Sequence, residues 1–177
     1  MKLLIAIPSL DYVNCEFMNC LVKLVMRLGK DGVDFDVKII SGTLVYAARD
    51  KLVHQDLDGH FTHVLWLDAD MIFNDDLVDD LMFSGKDFIT GICHARRKPY
   101  VPCFFRSLRL AVERFEDYPN ELFEVAGCGM ACVLIKTEIL LDVMKHFGTC
   151  FCPEKDLGED LAFCNRARYL NYHIFAD

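Results

Sequence analysis

The sequence predicts an α/β domain on a mostly parallel sheet, and three features carry that expectation. Apolar runs of strand length alternate with segments whose apolar residues recur at helical spacing, from one end of the chain to the other. The runs at 3–7 (LLIAI) and 64–67 (VLWL) are apolar at every position, as strands covered on both faces are. Neither an internal repeat nor a Ser/Gly linker interrupts the 177 residues, which predicts a single domain spanning 1–177.

Residues 3–7 form the first expected strand, stopped at Pro8. Val13, Phe17, Leu21, Leu24, Val25 and Leu28 then share a helical face, and Gly29 suits the position just past its end. VDFDVKII at 33–40 alternates Val33, Phe35, Val37 and Ile39 with Asp34, Asp36 and Lys38, which predicts a strand with one wet face near the sheet edge. Thr43 is the expected cap of a second helix through Val45, Ala48 and Leu52, and FTHVLWLD supplies the third strand. Asn74 is the expected cap of a short helix with Leu77, Val78, Leu81 and Met82 on its apolar side, followed by a strand in DFIT at 87–90. Residues 93–122, richer in Arg, Pro and Tyr, predict loop and hairpin over the sheet. FEVAGCGMACVLIK returns to strand around two glycines, and Thr137 is the expected cap of ILLDVM. Gly158 or Asp156 opens a helix towards Tyr169, and NYHIFA closes as a strand with His173 as a core residue.

At 53% hydrophobic residues, with fourteen Phe and only ten Gly and five Pro, the chain buries enough apolar surface to offset its ordering entropy, which excludes a disordered polymer. No apolar run approaches the ~20 residues of a bilayer span, so no transmembrane segment is expected. The run after Met1 stops at Pro8 without a small-residue cleavage site. Nineteen Lys and Arg against 27 Asp and Glu give a net charge of −8, which argues against a nucleic-acid partner. The nine cysteines are odd in number and no pair has the x2 spacing of zinc sites, so they read as buried free thiols of a cytoplasmic protein.

Sheets of this kind bind ligands beyond the carboxyl ends of their strands. Three such ends carry suitable groups: Pro8 and Ser9, Asp68-Ala69-Asp70, and the turn holding Gly127 and Gly129. In extended chain the side chains at i and i+2 point the same way, which puts Asp68 and Asp70 on one side. Two carboxylates at the mouth of an apolar strand repel, and burial raises the cost of ionising both. A divalent cation removes that conflict, and an all-oxygen set suits Mn²⁺ or Mg²⁺. Of the six aspartates between 68 and 80, Asp75 and Asp76 suit a helix's first turn and Asp79 and Asp80 its solvated face, whereas Asp68 and Asp70 precede the cap. By itself the Asp-x-Asp leaves a metal site and a metal-free acidic turn equally open.

HVLWLDADMIF resembles the metal-binding segment of nucleotide-sugar-dependent glycosyltransferases of the A-type (GT-A) fold, above all the inverting family 2. IAIPSL is similar to that family's opening strand and loop, AARDKLV to its Arg-containing helix, EVAGCGMACVLIK to its Gly-containing strand, and LGEDLAFCNRARYLNYHIFAD to its Glu-Asp helix and following strand. The resemblance implies a Rossmann-type three-layer sandwich. It also implies metal-dependent, hexosyltransferase-type transfer from a nucleoside diphosphate sugar, often a UDP-sugar, to an acceptor hydroxyl with inversion. It sets Ser9 against the base, Arg49 on the nucleotide, Asp68 on the ribose or the metal, and Asp70 on the metal. Gly127 and Gly129 would flank the donor sugar, and Asp160, with Glu159 beside it, would be the general base. Read from the residues alone, Ser9 is equally a turn hydroxyl, Arg49 a surface ion pair with Asp50 or a neighbour, Glu159 and Asp160 helix-start acids, and the glycines a bulge. HARRKPY at 94–100 gathers three cations, for the diphosphate, an anionic acceptor or simply solvent.

The chain departs from the family in two places. IISGT, with Ser41, stands where an acid commonly holds the base or ribose. Many relatives continue past the last strand with a segment that gives the metal a His and builds the acceptor side, and nothing here fills that role. A minimal enzyme, a wall supplied by another chain in an oligomer or complex, and a non-catalytic nucleotide-sugar-binding module all remain open. Other classes fit less well. A haloacid-dehalogenase-like phosphatase expects its Asp-x-Asp on the first strand. A nucleotidyltransferase expects a Gly-rich basic loop where PSLDYVN stands, and a dinucleotide-binding domain expects three glycines opening a helix, unlike GCGMAC.

Overall fold

The apolar run after Met1 becomes β1 (Lys2–Pro8), which pairs in parallel with β2 (Asp34–Ile40) on one side and β3 (His63–Leu67) on the other. In this computed structural model, which describes every residue except Asp11, 58–59 and 109–111, β1 is sandwiched between helices. Leu3, Ile5 and Ile7 face one helical layer and Leu4 and Ala6 the other, all buried, which is why the run needs no polar alternation.

The first layer holds α1 (Cys15–Lys30) and α3 (Leu77–Phe83), packed through Phe17, Leu21, Leu24, Leu28, Val78 and Leu81. The second holds α2 (Val45–Asp56), α4 (Thr137–Phe147) and α5 (Glu159–Tyr169), packed through Leu52, Val53, Ile139, Leu140, Val143, Phe163 and Ala167. The remaining strands of the central sheet are β4 (Phe88–Thr90), β7 (Phe123–Val125), β9 (Cys132–Lys136) and β10 (Ile174–Ala176), in the order β2-β1-β3-β9-β4-β10-β7. β2, β1, β3, β4 and β10 run one way, and β9 and β7 run against them. The result is an α/β three-layer sandwich with a mixed, largely parallel sheet.

The segment from 93 to 122 contributes β5 (Phe104–Ser107) and β6 (Glu113–Arg114), which join β8 (Gly127–Cys128) in a separate small sheet of order β6-β5-β8. FEVAGCGMACVLIK is therefore three strands in two sheets, not one. Its β9 portion inserts antiparallel between β3 and β4, with Cys132 opposite Leu67. That insertion brings 127–131 to the same edge of the sheet as the end of β3.

The edge position expected of β2 holds, but its alternation does not decide burial, since Val37 and Ile39 are exposed. Helix ends differ from expectation in several places. Asn14 caps α1 by accepting from the Glu16 N–H, and Gly29 lies inside that helix, which ends before Gly32 at φ 71°. Neither Thr43, Asn74 nor Thr137 caps a helix through its side chain, and the buried Thr137 hydroxyl has no hydrogen-bond partner among the described residues. Gly158 does occupy the cap position of α5. His173 precedes β10, is exposed, and pairs with Glu124 at 2.9 Å, so it is not a core residue. All nine cysteines are free, and four of them are buried.

Candidate functional site

The carboxyl ends of β1 and β3, the turn entering β9 and the first turns of α2 and α5 meet at one edge of the sheet. At their centre lies Arg49. It occupies the stripe of α2 that carries Ala48, Leu52 and Val53 against the sheet, and only 2% of it is exposed. Its guanidinium lies over the Phe151 ring at 5.7 Å and bridges two carboxylates, hydrogen-bonding Asp160 through Nη1 and Asp68 through Nη2 at 3.1 Å. Asp160, in the first turn of α5 where a carboxylate also meets the positive end of the helix dipole, accepts a further bond from the Met130 N–H at 3.2 Å. Arg49 is therefore not the surface ion pair with Asp50 that the sequence also allowed.

Asp50 points the other way and fastens the loop after α4. It accepts from the Thr149 hydroxyl at 2.5 Å and from the Cys150 and Phe151 N–H groups at 2.8 Å each. Arg166 grips the same loop from α5, donating to the Cys150 and Cys152 carbonyls at 2.7 Å each. These anchors tie α2 and α5 to one loop, and so help to hold Arg49 beside Asp160.

Asp68 and Asp70 do not lie in extended chain. The strand stops at Leu67, and residues 68–71 form a turn closed by the Met71 N–H on the Asp68 carbonyl at 3.1 Å. The pair still shares one neighbourhood: burial raises the Asp68 carboxyl above its ordinary range, Arg49 and Arg96 pull it back, and the Asp70 charge pushes it further up. Arg96, from the cationic run at 94–100, meets Asp70 at 2.6 Å while remaining well exposed. Asp160 is likewise raised by burial, with Arg49 and the Met130 N–H opposing and Glu159 and Asp68 adding to the shift.

Among the described residues no group of three or more His, Cys, Asp or Glu side chains could hold a metal ion. Asp68 and Asp70 supply two hard-oxygen carboxylates whose mutual repulsion a cation would relieve. That set fits an ion such as Mg²⁺ or Mn²⁺ that keeps water and phosphate oxygens as further ligands, and it does not fit a protein-only cage.

Asp160 and Glu159 line a cleft of about 230 Å³ with Cys103, Arg114, Gly129 and Gly158. A Cβ on Gly129 would stand 3.7 Å from Asp160 Oδ2, in ordinary contact, so this glycine sits at the cleft wall. Gly127 sits beneath it, where a Cβ would come within 2.9 Å of Leu108 Cδ1 and 3.2 Å of Leu161 and Cys164. Ser9 is nearly buried, and its hydroxyl donates to the Tyr12 carbonyl at 2.9 Å.

Three apolar residues and one ion pair were not legible in the sequence. Leu10, Tyr12 and Leu44 are exposed at the ends of β1 and β2, and nothing in their spacing distinguished them from loop residues. Arg96 reaches Asp70 only through the path of the chain after β4. The burial of Arg49 did leave a signal, because a cation inside the apolar stripe of a helix needs acidic partners.

No protein-family profile matches the chain, and no curated protein does. Solved structures do match. The STIV protein A197 superposes with a TM-score of 0.63 at 21% identity over 100% of this chain and 82% of its own. The catalytic domain of Drosophila beta1,4-galactosyltransferase 7, in complex with xylobiose, gives 0.59 at 13% identity over 99% of this chain and 64% of its own. The 4-diphosphocytidyl-2C-methyl-D-erythritol synthase of Anaerococcus prevotii gives 0.54 at 8% over 99% and 86%. At these identities the likeness is one of fold alone: a GT-A-like α/β three-layer architecture. No helix among the described residues is long and apolar enough to cross a membrane.

Proposed function

We propose that the chain binds a nucleoside diphosphate sugar at this sheet edge and transfers the sugar to an acceptor hydroxyl in a metal-dependent, inverting reaction. The observation that carries the reading is the Asp68–Arg49–Asp160 bridge, which joins the turn bearing the acidic pair to the carboxylate lining the cleft. A fold shared with a galactosyltransferase supports it at the level of architecture.

In this reading Asp68 and Asp70 hold the divalent ion, whose chemistry is to offset the charge gathering on the departing diphosphate. Arg96, exposed and already beside Asp70, would turn its guanidinium to the same phosphates. Tyr12, Leu10 and Leu44 offer an apolar shelf for the base, most simply a uracil ring. Arg49 is too buried to touch a donor, so its part is to position the two carboxylates. Asp160, made more basic by burial, takes the acceptor's proton as its oxygen attacks the anomeric carbon opposite the leaving group. The ion pair between Asp160 and Arg49 supports one other reading, a donor-binding module whose carboxylate stays held by Arg49.

The test is thermal unfolding with UDP, with and without Mn²⁺. Binding at 100 times Kd stabilises by ~2.7 kcal/mol, or roughly 5–11 °C in a chain of this size. The rise is expected with Mn²⁺ only and is lost in Asp70→Asn. A melt unmoved by any nucleoside diphosphate, with or without the metal, overturns the proposal.

A further inference from the structure

Beside the cleft, β5, β6 and residues 100–102 border a groove of about 880 Å³ that the donor reading leaves unused. That volume is within the ~300–1,000 Å³ typical of small-molecule sites. Arg114 lines both spaces, so the groove and the cleft that holds Asp160 adjoin at that residue. We infer that this groove is the acceptor site and that it takes an uncharged saccharide. The inference rests on the transferase reading and names the acceptor class for it.

Three features select that chemistry. Charge comes first: Arg106 and Arg114 face Glu113, Glu116 and Asp117, so the lining sums to about −1 and attracts neither a polyanion nor a strong cation. Next, the polar groups are held apart from one another. The Arg106 guanidinium lies over the Phe115 ring at 4.9 Å and that of Arg114 over the Phe105 ring at 5.0 Å. Among the described residues neither makes an ion pair with a carboxylate, and the three acids have no basic partner within salt-bridge distance.

A sugar hydroxyl both donates and accepts, and adjacent equatorial hydroxyls match the two-pronged edge of a guanidinium or a carboxylate. A groove bearing both kinds of planar group, unspent on each other, is matched to such a ligand. Lastly, Tyr100 stands at the groove with 60% of its surface exposed, giving a flat apolar face for the C–H side of a pyranose ring.

The experiment titrates the whole chain with methyl glycosides and di- and trisaccharides, neutral and uronate-containing, followed by saturation-transfer NMR. UDP with Mn²⁺ is titrated in parallel. The expected result is binding of one or more neutral saccharides, weakened at least tenfold by Tyr100→Ala and by the exposed isostere Glu116→Gln. UDP affinity should stay within twofold in both variants, since neither residue belongs to the donor site. Preference for the uronates, indifference of saccharide binding to both substitutions, or no saccharide binding at millimolar concentration overturns the inference. If UDP still binds in any of those cases, the donor reading survives it. Saccharide binding through the groove with no nucleotide binding would instead keep the groove assignment and remove the transferase role.

Discussion

Replacing Arg49 by Met removes one guanidinium and leaves two partly buried carboxylates without their cation. Met keeps most of the apolar stem, so the packing loss is limited to the stacking on Phe151. Breaking a buried ion pair by removing one partner costs ~3–5 kcal/mol. Asp68 and Asp160 each keep somewhat over a quarter of their side-chain surface exposed, which lets water soften the loss towards the lower end, about 3 kcal/mol. For a chain of this length that is a fall in Tm of roughly 6–12 °C at neutral pH. The sign of the pH dependence is the stronger test. In the native protein both carboxyls already titrate above their ordinary value, and without Arg49 they rise further. The folded variant then binds more protons than its unfolded chain, so its stability falls as pH rises through the new folded pKa values. The deficit against the parent protein is therefore full at neutral pH and shrinks as pH drops towards 4, where protonated carboxyls need no cation. Urea unfolding of both proteins from pH 4 to 8 measures this, with Arg49→Lys as a variant that keeps a charge. A deficit of constant size across that range means Arg49 contributes packing alone, and the charge argument is wrong.

Asp160→Asn should lower turnover by roughly 10²–10⁴ while metal-dependent UDP binding persists. Undiminished activity would remove Asp160 as the base, and its own raised carboxyl predicts that activity falls on the acid side at a pH above that of an ordinary aspartate. The same variant should show a shallower decline of stability with pH above about 4, because one proton-binding native group is gone. An unchanged slope contradicts that shift. Gly127→Ala should cost about 1–3 kcal/mol by pressing a methyl against Leu108 and Leu161, whereas Gly129→Ala, whose nearest neighbours would be 3.6 Å away or more, should leave the melt within a degree or two and act on ligand binding instead. Equal stability losses in the two variants would show that the packing difference between them is not real.

The composition of the chain and the period of its apolar residues settle a good deal alone. A strand apolar at every position must be covered on both sides, so LLIAI and VLWL specify a sheet between two helical layers, and the spacing of Phe17, Leu21, Leu24 and Leu28 specifies the helix that covers one of them. An Asp-x-Asp directly after such a strand marks the edge where polar chemistry gathers, and Gly158 marks the start of α5. Periodicity has no memory of direction, however. It could not tell that FEVAGCGMACVLIK breaks across two sheets, or that β9 enters antiparallel between β3 and β4. Capping fared poorly for a related reason: a hydroxyl at a helix start is a local option, and Thr137 is buried by packing before it can serve the backbone.

What tertiary structure alone decided is who answers whose charge. Arg49 and Asp160 are 111 residues apart, and the fold presses their side chains together because α2 and α5 share one face of the sheet. Arg96 reaches Asp70, and Arg106 and Arg114 spread over phenylalanine rings, by the same long-range placement. Burial is a property of the folded surface and not of any residue. Only when desolvation is fixed by the packed layers does a carboxylate acquire the partner, the basicity and the cleft that chemistry needs.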